Sequence, residues 1–147
     1  GQARSRVTEE MNAGQLLVSW IGHGSQANWS KRSIFTNTEA AALVNGPKLP
    51  IVVSLSCLGG FFIDGAVDSL SEVLQKNPNG GAIASWASSS LTEPFGQEQL
   101  GAAAYSALFS TGPTRLGDAF VSGLAAANDP DVRKTWVLFG DPALKVR

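Results

Sequence analysis

The sequence predicts an α/β fold, a mostly parallel sheet with helices on both faces. Four short apolar, β-branched or aromatic runs occur at 16–21 (LLVSWI), 51–56 (IVVSLS), 82–87 (AIASWA) and 136–139 (WVLF), each followed closely by glycine or small polar residues. Their near-continuous apolarity suits strands covered on both faces, as in a parallel sheet. Helix-period segments lie between them. The order is strand, helix, strand, helix, strand, two helices, strand, which is the alternation of an α/β layer with right-handed crossovers.

Each element has a local justification. The first strand, 16–21, ends at Gly22. Residues 37–44 (NTEAAALV) are alanine-rich, with Asn37 or Thr38 available as an N-cap and Glu39 in the first turn, where the helix end is positive. Gly46 and Pro47 stop that helix. After the strand at 51–56, Ile63, Val67, Leu70 and Leu74 recur at helical spacing until 77–81 (NPNGG) breaks the chain. The strand at 82–87 precedes a helix from about Gly96 that carries Leu100, Ala104, Ala107 and Leu108 on one side. The next helix, after a possible cap at Thr114, carries Leu116, Phe120, Leu124 and Ala127, and Asp129-Pro130 closes it. The run at 136–139 is the fourth strand.

Composition narrows the function classes. With 44% hydrophobic and 16% charged residues, the 147-residue chain can bury a core and is not disordered through polarity. Eleven basic and 12 acidic residues give a net charge of −1, so there is no basic footprint for nucleic acid. The longest apolar stretch, 49–63, is interrupted by Pro50, Ser54, Ser56, Gly59 and Gly60 and falls short of the ~18–20 residues of a membrane span. Residues 1–14 (GQARSRVTEEMNAG) are polar, lack an initiator Met and hold no signal-peptide core. The chain therefore reads as a single domain that is part of something longer. The strand at 16–21 would otherwise be an apolar sheet edge, so an upstream segment or a partner chain is expected to complete the sheet.

His23 and Cys57 are the only histidine and the only cysteine. Both lie just beyond a strand and close to glycine, and ligands of open parallel sheets gather at the carboxyl ends of strands. If the first two strands are neighbours, their ends lie ~5 Å apart, so an imidazole can serve a thiol there. The thiolate is the competent nucleophile, and a free thiol with a pKa near ~8.5 needs help to form it. A histidine can take that proton and later protonate a leaving amine. Nearby glycines let backbone amides approach a developing oxyanion. The competing reading is that Cys57 is a small buried hydrophobe. A lone Cys-His pair is short of zinc's usual three or four protein ligands. A nucleophile elbow is disfavoured, because Leu55 stands where its glycine belongs and His23 precedes the nucleophile.

These residues resemble a family. The stretch 20–24 (WIGHG) with Trp29, the block 54–61 (SLSCLGGF), the runs 79–84 (NGGAIA) and 88–94 (SSSLTEP), and the closing 138–144 (LFGDPAL) are similar to the gingipain-type cysteine peptidases. Those enzymes have a caspase-like fold, a three-layer sandwich. The resemblance covers nearly the whole chain and implies peptide-bond hydrolysis through a thioester. It makes Cys57 the nucleophile, His23 the general acid/base, and the amides of Gly24 and Cys57 the oxyanion hole. It implies that Trp86 walls the substrate pocket, with Ser88 beside it; burial in the core is the other reading of Trp86.

The family's first strands, its histidine-supporting carboxylate and its specificity acid precede the histidine strand and have no counterpart in this sequence. The third catalytic member is therefore left open, as is the preferred cleavage residue. Asp64, Glu72, Glu93 and Asp141 follow Cys57 but read first as capping or turn acids. The resemblance also implies a polypeptide substrate and a secreted or cell-envelope location. Catalysis requires no cofactor, and a structural calcium ion is left open. Two rivals remain: a catalytically inactive caspase-fold remnant used for assembly or recognition, and a flavodoxin-like anion binder using helix N-termini, which lacks a GxGxxG or P-loop signature.

Overall fold

The computed structural model describes residues 1–112 and 114–146. Along the chain lie α1 (Gln2–Ala13), β1 (Leu17–Ile21), β2 (Gly24–Ser25), β3 (Asn28–Trp29), β4 (Phe35–Thr36), α2 (Asn37–Ala41), β5 (Ile51–Leu55), α3 (Leu70–Lys76), β6 (Ala84–Ser88), α4 (Pro94–Leu108), α5 (Leu116–Ala126), α6 (Pro130–Thr135) and β7 (Trp136–Phe139). The main sheet has the order β1-β5-β6-β7, and β2, β3 and β4 form a small antiparallel sheet. Strands β1, β5 and β6 are parallel, whereas β7 runs antiparallel to β6. The reversal has a simple cause. One crossover helix returns the chain to the start of the sheet, but the α4–α5 pair brings it back to the carboxyl end of β6. There Trp136 pairs with Ser88, and β7 can only run downward.

The sheet separates two cores, because side chains alternate between its faces. Ile51, Val53 and Leu55 of β5 and Ala84 and Trp86 of β6 pack with Leu100, Leu108, Leu116 and Phe120 of α4 and α5. Val52 faces the other way, toward Met11 of α1, Trp29, Phe35, Leu43 and the α3 residues Leu70 and Leu74. Each fully buried side chain of this size contributes about 1.5–3 kcal/mol. The result is helices on both sides of a mostly parallel sheet, as the sequence predicts.

Several elements differ from the sequence reading. Residues 1–14, read only as a polar terminus, contain α1, which buries Met11. The helix expected from Ile63 begins at Leu70. Ser69 caps it, accepting from the Glu72 amide at 3.4 Å while its own amide donates to the Glu72 carboxylate at 2.8 Å. Ile63 and Val67 are exposed in the preceding loop, despite their spacing. The cap of α2 is Thr36, one residue before the expected Asn37 or Thr38, and the helix ends at Ala41. Asp129-Pro130, read as a terminator, instead starts α6, with the Asp129 side chain accepting from the amides of Asp131 and Val132. Pro at the first helical position needs no amide donor, which reconciles the two readings.

Candidate active site

The register of β1 and β5 sets the site. Ile21 pairs with Leu55, and the Gly22 amide donates to the Leu55 carbonyl at 3.2 Å. His23 and Cys57 each stand two residues past that pair, so both are aimed to the α4 side of the sheet. They line one cleft of about 830 Å³. Ile21, Leu55, Ala102 and Tyr105 give it an apolar lining, and Thr92, Glu93, Pro94, Gln97 and Glu98 border it as well.

Cys57 is half-buried and unbonded to any other cysteine. Its thiol lies 3.5 Å from the Thr92 carbonyl, which also accepts from Gln97 Nε2 at 3.2 Å. The turn after it is anchored to the end of β6. The Leu58 amide donates to the Ser90 carbonyl at 3.1 Å, and the Gly60 amide to the Ser88 carbonyl at 2.9 Å. Leu58 sits at φ 61, the left-handed region that costs a non-glycine residue about 1–2 kcal/mol. His23 is exposed, but its backbone is fixed: its carbonyl accepts from the Ser30 amide at 2.8 Å and from Trp20 Nε1 at 3.1 Å.

Gly24 is confined by the turn that follows β5. A Cβ there would lie 2.6 Å from Ser56 Oγ and 3.0 Å from the Cys57 carbonyl oxygen. His23 and Ser30 share a ladder bond, and Gly24 faces Trp29 one step further on. By the alternation of antiparallel ladders, the Gly24 amide then turns away from β3. On the cleft wall, burial pushes the Tyr105 hydroxyl pKa up, against the opposing effect of its 2.5 Å hydrogen bond with Ser19.

The other expected site residues fall elsewhere. Trp86 does not wall the cleft. It is 1% exposed, stacked on Phe120 at 4.0 Å and set edge-on to Trp136 at 6.2 Å. Its register partner Val53 is in the same core, so strand alternation alone commits it to the interior. Ser88 is fully buried too. Its hydroxyl donates to the Ser90 carbonyl at 3.0 Å and shares a 3.1 Å bond with Thr135. The substrate-pocket expectation for both is corrected.

Of the acids weighed from sequence, only Glu93 lines the cleft. Asp64 accepts from the Ala66 amide and from Gln26 Nε2, which lower its pKa. Glu72 belongs to the Ser69 cap, and Asp141 accepts from the Ala143 amide. The sequence reading missed Glu98, Ala102 and Tyr105. Their i, i+4, i+7 spacing marks a second stripe on α4, beside the core stripe that drew attention.

A smaller cavity of about 360 Å³ lies beyond His23, bordered by Gly24, Ser25, Asn28, Ser30 and Lys31. Among the described residues, no helix is long and apolar enough to cross a membrane.

The family model for peptidase family C25 matches residues 1–147. Gingipain R2 and gingipain R1 of Porphyromonas gingivalis are both 26% identical to this chain over 161 aligned residues. The alignments cover 100% of this chain but 22% and 16% of theirs, so it spans about a fifth of those relatives. The crystal structure of the Arg-specific cysteine proteinase gingipain R superposes on 98% of the chain and 36% of its own, with a TM-score of 0.86 and 25% identity. The complex of Porphyromonas gingivalis RgpB pro- and mature domains gives 0.88 and 26%, over 98% of this chain and 37% of that one. With a cysteine-bearing turn beyond one parallel strand and a histidine beyond its neighbour, the chain has the caspase-like α/β fold and belongs to peptidase family C25.

Proposed function

We propose that this chain carries the nucleophile and the general acid/base of a cysteine endopeptidase. The observation that supports this reading most is the common cleft of His23 and Cys57 at the ends of adjacent parallel strands. His23 takes the thiol proton, and Cys57 Sγ attacks the scissile carbonyl. The oxyanion that develops faces the amides of Gly24 and Cys57, the contribution that is usually largest in acyl transfer. His23 protonates the leaving amine, and the acyl group stays on sulfur as a thioester. Water, deprotonated by His23, then releases the acid and restores the thiol. No cofactor enters these steps.

The substrate is a polypeptide. Strand β1 is the edge of the main sheet, and Leu16 just before it and Ile21 at its end are 61% and 71% exposed. A further segment of the same protein or a partner chain pairs there and covers this edge. That fits the greater length of the relatives and the pro- and mature domains named for one of them. The family resemblance supports a location outside the cell or on its envelope.

The test uses the full-length protein and a mixed peptide library. Cys57→Ala should abolish cleavage, by about a thousandfold or more, with an unchanged melting curve. Iodoacetamide should alkylate Cys57 faster than a reference thiol, and His23→Ala should slow it. Equal labelling in wild type and His23→Ala defeats the dyad, and a wild type that cleaves nothing favours a non-catalytic assembly role.

A further inference from the structure

The smaller cavity borders His23 but not Cys57, whereas the larger cleft borders both. Their charges differ as well. Glu93 and Glu98 line the larger cleft with no lysine or arginine among the described lining residues; Lys31 lines the smaller one with no carboxylate. Among the described residues, no ion pair engages Lys31.

The turn presenting Lys31 is fixed by its backbone. Ser30 sits at φ 65, its amide is bonded to the His23 carbonyl, and its hydroxyl accepts from the Arg32 amide at 3.0 Å. The Ser33 amide donates to the Ser30 carbonyl at 3.0 Å. Arg4 Nε, from α1, donates to the Ser33 carbonyl at 3.0 Å. Because the backbone of this turn is already ordered, only the Lys31 side chain has freedom to lose when it meets a ligand.

Resting on the peptidase reading above, we propose that this cavity receives the residue that follows the scissile bond, and that Lys31 selects an acidic side chain there. The chemistry assigns the two sides. The acyl group becomes bonded to Cys57 Sγ, so it occupies the cleft that Cys57 borders. The leaving amine takes its proton from His23, so its nitrogen lies within hydrogen-bond reach of the imidazole. The chain continuing from that nitrogen enters the space beyond His23. It meets the polar side chains of Ser25, Asn28 and Ser30 and the Lys31 ammonium.

Matched peptides of one cleavable sequence, differing only in Asp, Ser or Lys after the scissile bond, test this on the full-length protein. The Asp peptide should exceed the Lys peptide in kcat/KM by about fivefold at low ionic strength, with the ratio shrinking as salt is added. Lys31→Gln should level the series and Lys31→Glu should invert it. Arg32→Glu makes the same charge change on the same loop without lining the cavity, and it should keep the wild-type order. Equal kcat/KM across the peptides, or an inversion by Arg32→Glu as large as that by Lys31→Glu, overturns the assignment while cleavage itself keeps the peptidase reading. A wild type that cleaves no library peptide overturns both.

Discussion

At Gly24 the space for a side chain is already taken by Ser56 and Cys57. Gly24→Ala must push β2 away from the Cys57 turn and carry its amide with it. The expected result is a fall in kcat of about ten- to a thousandfold with KM little changed, since an oxyanion donor acts mainly in the transition state. Steady-state kinetics on the full-length protein read it, and an unaltered kcat removes Gly24 from the oxyanion hole. That His23 and Cys57 share one cleft was legible in the sequence because each occurs once and each follows a strand with glycine near. Trp86 was misread because family position was weighed above the two-residue period of its strand, which points it inward beside Val53.

Among the elements, the α2 cap joins the terminal helix α1 to the small sheet. Burial raises the pKa of the Glu39 carboxyl, but hydrogen bonds from Thr36 and the Arg4 guanidinium outweigh it and hold the group below its ordinary value. A carboxyl depressed in the folded chain adds stability above its unfolded pKa, and that contribution fades as pH falls through the folded value. Glu39→Gln should therefore be less stable than wild type at neutral pH, and the gap should close in urea titrations as pH falls below the ordinary carboxylate range. A gap that does not change with pH contradicts the assignment.

Element starts were only partly readable. The Ser69–Glu72 box was available as a sequence signal, yet the apolar spacing of Ile63 and Val67 masked it. Helix α1 offered only Val7 and Met11, four residues apart, within a polar stretch. Strands β2, β3 and β4 are two residues each, too short for any period to register.

For the whole molecule, the layering was legible because β5 and β6 are buried along their full length, which only a sheet covered on both faces provides. The direction of β7 was not, since the alternation of elements was taken as a run of crossovers while two consecutive helices cancel one. Trp86 ties that helical pair to the sheet, between Phe120 and Trp136 and above Gly123. Trp86→Ala should lower stability by about 3–5 kcal/mol through the cavity it leaves. If the indole instead formed a pocket wall, the same change would alter peptide selectivity at nearly full stability; chemical denaturation beside a peptide profile separates these outcomes.

The pairing of Ile21 with Leu55 also limits how the turns around it can vary in length. Because strand side chains point up and down in turn, inserting one residue between Ile21 and the imidazole would swing it through the sheet plane toward Trp29 and Ser54. An insertion of two would preserve its direction but carry it about 7 Å further out. A working relative that lengthens one of these turns therefore needs a compensating change in the other.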